Sequence, residues 1–129
     1  MHTTIISHIT QLKSENKKGF AVLIDPDNVN WDTFHNLLKI SIECEVSYFF
    51  IGGSLITNNI SEKIISTIKE ICSIPTIIFP GSCQHFTANA DAILFLTLLS
   101  GRNPDFLIGQ HVIAAPILKK SPIEILPTA

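Results

Sequence analysis

With 129 residues, 46% of them apolar and 16% charged, the chain has room for one ordinary domain with a generous core. Nine basic and eleven acidic residues leave a net charge of −2 with no long block of like charge, which argues against a nucleic-acid-binding protein. The mean hydropathy of +0.35 is high for a soluble monomer, so some apolar surface is expected to lie against a partner or a further part of the fold.

The segment from Met1 to His8 lacks a basic stretch followed by an apolar core, and nowhere do about 18 apolar residues run together. The expected location is the cytoplasm. Cys44, Cys72 and Cys83 are odd in number and show no CxxC spacing, which fits a reducing compartment and buried or idle thiols. His2, His8, His35, His85 and His111 show no paired metal-ligand spacing and are read as structural or solvent-facing, with only His85 and His111 near loops of interest.

In chain order, residues 1–18 read as a flanking helix with Ile5, Ile6, Ile9 and Leu12 at helical spacing and Gly19 as its stop. A first strand over 20–24 runs into Asp25-Pro26-Asp27. Asn30 or Asp32 then caps a helix over 31–43, whose Phe34, Leu37, Leu38 and Ile42 share a face. A second strand over 46–51 stops at Gly52-Gly53-Ser54, and Asn58, Asn59 and Ser61 open a helix striped with Ile60, Ile64, Ile65, Ile68 and Ile71. A third strand over 76–79 closes at Pro80-Gly81-Ser82, a short helix is expected over 86–89, and a fourth strand covers 92–96. After the loop Ser100-Gly101-Arg102-Asn103-Pro104, a helix passes through Leu107, Ile108, His111 and Val112 and is bent or broken at Pro116. Residues 119–122 read as a loop, and Ile123 to Leu126 as the lead-in to a fifth strand.

Strands that are apolar throughout and alternate with helices indicate a parallel sheet. Asp25, Gly52 and Pro80 fall at near-equal spacing, close to the roughly 30 residues per unit of an eightfold barrel. The expected fold class is therefore α/β: residues 1–129 as a single partial domain, the N-terminal half of a (βα)₈ TIM barrel with about four βα units, the chain stopping inside a unit. A small open sheet is the competing architecture.

In such folds the C-terminal strand ends collect chemistry. An ionised Asp25 at the end of a buried strand is costly unless paired or bound to a metal, although a helix cap or loop carboxylate also accounts for it. Asp27, one step further out, reads as a capping or solvated group. Gly52-Gly53-Ser54 offers backbone N–H groups to an anion and the Ser54 hydroxyl to Mg²⁺, against the competing reading of a tight turn. Arg102 and Asn103 reach a diphosphate or cap a helix.

Leu23-Ile24-Asp25-Pro26-Asp27, Ile51-Gly52-Gly53-Ser54, Phe79-Pro80-Gly81-Ser82 with Gln84, Ala90 to Phe95, and above all Ser100-Gly101-Arg102-Asn103-Pro104 followed by Leu107-Ile108-Gly109-Gln110-His111 resemble geranylgeranylglyceryl phosphate synthase and its heptaprenyl relatives. The resemblance implies a TIM-barrel prenyltransferase of membrane-lipid synthesis that joins a polyprenyl diphosphate to sn-glycerol 1-phosphate as an ether. It also implies Mg²⁺ at Asp25 and Ser54, with Asp25 as the catalytic position, and diphosphate contacts at Gly52, Gly53, Arg102 and Asn103. The barrel interior and neighbouring helices would take the prenyl tail. A homo-oligomer of the full-length form and transient membrane contact through the lipid product are further expectations.

The family's glycerol-phosphate site lies in a second half that is absent here, and Ala129 stands where the family carries glycine. The chain is accordingly expected to be inactive alone. The alternative is a stand-alone half barrel that binds a phosphorylated ligand without turnover, and a third arrangement pairs two half barrels.

Overall fold

The structure, a computed structural model, describes residues 4–52, 58–82 and 86–129. The first helix, α1 (Ile5–Ser14), begins where the Thr4 side chain accepts a hydrogen bond from the Ser7 N–H. It ends at Glu15, and Asn16 takes the left-handed conformation at φ 52°. The stop is therefore Asn16, ahead of the expected Gly19, because an asparagine tolerates that conformation better than most side chains. The described helix is correspondingly shorter than the expected 1–18.

Strands β1 (Ala21–Ile24), β2 (Tyr48–Ile51), β3 (Thr76–Ile78), β4 (Ala92–Leu96) and β5 (Glu124–Thr128) form one sheet, parallel and in chain order. Helix α2 (Trp31–Glu43) coincides with the expected span, and Asn30 caps it by accepting from the Asp32 N–H. Its buried line is Phe34, Leu38 and Ser41, while the expected Leu37 and Ile42 flank that line and stay exposed. Helix α3 (Asn58–Ile71) buries Ile64, Ile65 and Ile68 of its expected stripe, while Ile60 near its start is exposed and Ile71 at its end is half-buried.

The third unit departs from the repeat. Residues 86–89, expected as a short helix, form an irregular segment and turn, so no helix lies between β3 and β4 among the described residues. Thr87 competes with helix formation there: its carbonyl accepts from the Ala90 N–H and its hydroxyl from the Asn89 N–H. Helix α4 (Gly109–Leu118) follows a 3₁₀ turn at Pro104–Phe106 and runs through Pro116 without breaking. The bond lost at Pro116 would have gone to the carbonyl of Val112, on the exposed side of the helix where water can serve it.

Two apolar layers result. Ile24, Phe49, Ile51, Ile78 and Ile93 meet the helices with Phe34, Leu38, Ile64, Ile65, Ile68 and Leu118. On the other face Tyr48, Ile77, Ala92, Leu94 and Leu126 surround Ile5 of α1. That helix is held by Glu124, whose carboxylate accepts from the Ile5 N–H at 2.7 Å and the Ile6 N–H at 2.9 Å. A carboxylate on two first-turn N–H groups satisfies orphan donors and complements the helix dipole. Tyr48 and Glu124 open their strands, so α1 covers the N-terminal end of the sheet and leaves the C-terminal end clear.

Candidate functional site

The C-terminal ends of β1 and β2 bring Asp25 and Gly52 side by side. The strands pair in register through Ile24 and Ile51, and the Gly52 N–H continues the ladder by donating to the Ile24 carbonyl at 3.1 Å. That amide is spent, so it is not one of the free donors expected for an anion. A Cβ at Gly52 would lie 2.1 Å from the Phe79 carbonyl oxygen, which makes close backbone approach the reason for glycine at this position. Gly53 and Ser54 lie outside the described residues.

Asp25 is half-buried. One of its oxygens accepts from the Asp27 N–H at 3.1 Å and the other from the Asn28 Nδ2 at 2.6 Å, across the 3₁₀ turn Pro26–Asn28. The carboxylate is thus steadied by its own turn, and Asp27 is exposed as expected. Each oxygen of an ionised carboxylate has about two acceptor positions, so a further partner can still approach both. Hard oxygens of this kind suit Mg²⁺, which takes one or two carboxylates and completes its shell with water and substrate phosphates. Among the described residues no three His, Cys, Asp or Glu side chains gather as an all-protein metal cage.

Arg102 and Asn103 follow β4, three strands from β1 and on the order of 14 Å along the sheet. Asn103 caps the turn at Pro104–Phe106 by accepting from the Asp105 N–H at 3.0 Å. Arg102 is exposed and makes no hydrogen bond or ion pair among the described residues. The structure brings Asp25 and Gly52 together and leaves Arg102 and Asn103 across the mouth from them.

A cavity of about 600 Å³ opens between β4, α4 and the described residues after β3. Its walls are mostly apolar, including Phe86, Leu94, Phe95, Leu96, Phe106, Ala114 and Leu118. His111 enters it from α4, with Nε2 3.3 Å from the Thr97 hydroxyl and its ring edge-on to Phe95 at 4.5 Å. Its Nδ1 is buried without a hydrogen-bond partner among the described residues. Sequence spacing singled out neither Thr97 nor Phe86, and it read His111 as structural or solvent-facing near a loop of interest. Thr97 and Phe86 carry no linear signal, because only the packing of separate elements brings them to the cavity beside His111.

A parallel βα sheet in chain order, with a carboxylate at one strand end and an apolar cavity beside the neighbouring loops, is the architecture of a partial (βα) barrel. Comparison with known proteins agrees: the PcrB family model matches residues 10–129, and the chain belongs to the PcrB family. It is 54% identical over 116 residues to the geranylgeranylglyceryl phosphate synthase of Spirosoma linguale, covering 90% of this chain and 47% of that protein. It is 37% identical over 127 residues to the Sulfolobus acidocaldarius protein of the same name, covering 97% and 49%. Among solved structures, that of the Thermoplasma acidophilum synthase in complex with its substrate sn-glycerol-1-phosphate superposes with a TM-score of 0.87 at 30% identity. The chain covers 50% of that structure, and it spans about half the length of the curated relatives it matches. The half-barrel architecture is that of the TIM-barrel synthases in this family. No described helix is long and apolar enough to cross a membrane.

Proposed function

We propose that this chain carries the prenyl-diphosphate half of a cytoplasmic, Mg²⁺-dependent synthase that joins a polyprenyl diphosphate to sn-glycerol 1-phosphate through an ether bond. The carrying observation is the apolar cavity beside β4 and α4, on the same end of the sheet as Asp25, where the described residues between β3 and β4 form no helix. A long isoprenoid needs such a cavity, and its diphosphate needs a hard cation and donors at the mouth.

In this reading Asp25 and Ser54 hold Mg²⁺, which supplies charge neutralisation of the departing diphosphate. Gly53, Gly52, Arg102 and Asn103 line the diphosphate's surroundings, with Arg102 contributing positive charge from the β4 side. The Asp27 N–H and the Asn28 amide fix the orientation of the Asp25 carboxylate before any ligand arrives, so no reorganisation is needed when charge develops. Phe86, Leu94, Leu96 and Phe106 exclude water around the tail, and no nucleophilic side chain is required. We place the glycerol-phosphate site in the half of the relatives that this chain does not span, and the full-length protein as a homo-oligomer.

Thermal unfolding of the 129-residue chain with geranylgeranyl diphosphate tests the reading. The midpoint is expected to rise with ligand and Mg²⁺ together, by the equivalent of about 2.7 kcal/mol at a hundredfold excess over Kd. It should not rise with chelator present or in Asp25→Asn. An equal shift in the variant, or no shift in the wild-type chain at saturating ligand, overturns it.

A further inference from the structure

We propose that the outer face of α4 docks the protein on an anionic lipid bilayer surface. Helix α4 contains no charged residue from Gly109 to Leu118. Its inner side supplies His111, Ala114 and Leu118 to the cavity, whereas Val112 and Ile113 on the helix and Ile108 just before it are 65%, 62% and 60% exposed. A helix apolar on both sides needs a cover on both.

Completing the barrel does not provide the second cover. In a (βα)₈ barrel the helices form the outermost ring, so added units flank α4 and leave its outward side free. The charges around the stripe select the occupant. Lys119 and Lys120 follow the helix, Arg102 precedes it, all three are exposed, and Asp105 is the one carboxylate between residues 98 and 123. A local excess of cations beside an apolar stripe, in a chain of net charge −2, is complementary to anionic headgroups over an acyl boundary. The helix would lie in the interface, as it is too short to span it. Its two sides would then place the cavity one helix away from the bilayer.

The surface stands on α4 alone and is read without prenyl diphosphate, so its failure and that of the ligand experiment above are separate results. The chain is sedimented with phosphatidylcholine vesicles containing, or lacking, about a third phosphatidylglycerol. It is expected to partition onto the anionic vesicles and much less onto the neutral ones. Replacing both lysines (K119Q/K120Q) should weaken partitioning by roughly fivefold per lysine, and V112S/I113S should abolish it, with circular dichroism confirming that both variants fold. No partitioning, equal partitioning on neutral vesicles, or variants that bind like wild type overturn the proposal. So does a lower native mass of V112S/I113S in lipid-free buffer, which would make this face a contact between copies.

Discussion

The Phe79 carbonyl oxygen occupies the space that a Cβ on Gly52 would need, 2.1 Å from its ideal position. The contact links β2 to the residue after β3 and holds the two strand ends together beside Asp25. Backbone on the receiving side leaves no flexible group to move aside. Gly52→Ala is expected to lower stability by about 1–3 kcal/mol, the usual cost of overpacking, read as a reduced urea midpoint with an unchanged slope. An alanine variant as stable as wild type would show that the strand ends are free to separate.

Glu124 reaches α1 across 119 residues of sequence, and its loss should loosen the N-terminal end of the sheet. Glu124→Ala strands two helix donors and is expected to cost about 1–2 kcal/mol. Glu124→Gln retains one acceptor oxygen and should cost less than Glu124→Ala. Thermal melts of the two variants should fall in that order below wild type.

Tyr48 lies in the same cluster, with His8 Nδ1 on its hydroxyl. Burial, and then the charge of Glu124, push its ionisation above the ordinary tyrosine value. The folded form therefore holds a proton that the unfolded chain gives up near pH 10, so stability from this group is complete below about pH 10 and declines as the pH rises beyond it. Because Tyr48 is the single tyrosine, tyrosinate absorbance follows it without interference. In Glu124→Gln its titration should move to lower pH.

Asp91 works at the other end of the pH scale. Burial pushes its carboxyl up, but hydrogen bonds from the Thr76 N–H, Lys69 and the Thr76 hydroxyl outweigh this and bring it below the ordinary aspartate value. The stabilisation it contributes is present above about pH 4 and is lost as acid protonates the folded form. Asp91→Asn should remove part of that acid dependence, measured as a flatter stability profile below about pH 4, and should cost about 1–2 kcal/mol at neutral pH.

The cavity can be filled from one wall. Ala114 of α4 lines it beside His111, and Ala114→Trp should occupy the space meant for an isoprenoid. Stabilisation by geranylgeranyl diphosphate is expected to disappear, while stabilisation by inorganic diphosphate with Mg²⁺ stays. Retention of the isoprenoid effect would place the tail elsewhere.

Much of the architecture was legible in the chain because it depends on short-range signals. Asn30 before a 3.6-residue apolar period delimits α2, and unbroken apolar runs mark β2 and β4 as strands of a parallel sheet. The Asp25 and Gly52 strand ends were also visible, since acidic and glycine residues interrupt those runs. Their local roles were not. Whether Asp25 spends its oxygens on its own turn depends on backbone angles over Pro26–Asn28, and Gly52 is decided by where Phe79 passes.

The sequence by itself determined the parallel βα alternation, the family and where the strands end, because periodicity and turn chemistry act over a few residues. Tertiary structure alone decided that the described residues between β3 and β4 form no helix, that a cavity opens beside β4 and α4, that His111 meets Thr97, and that Glu124 clasps α1. These are contacts or spaces between elements far apart in the chain, and their energies arise only when the sheet assembles and sets each distance.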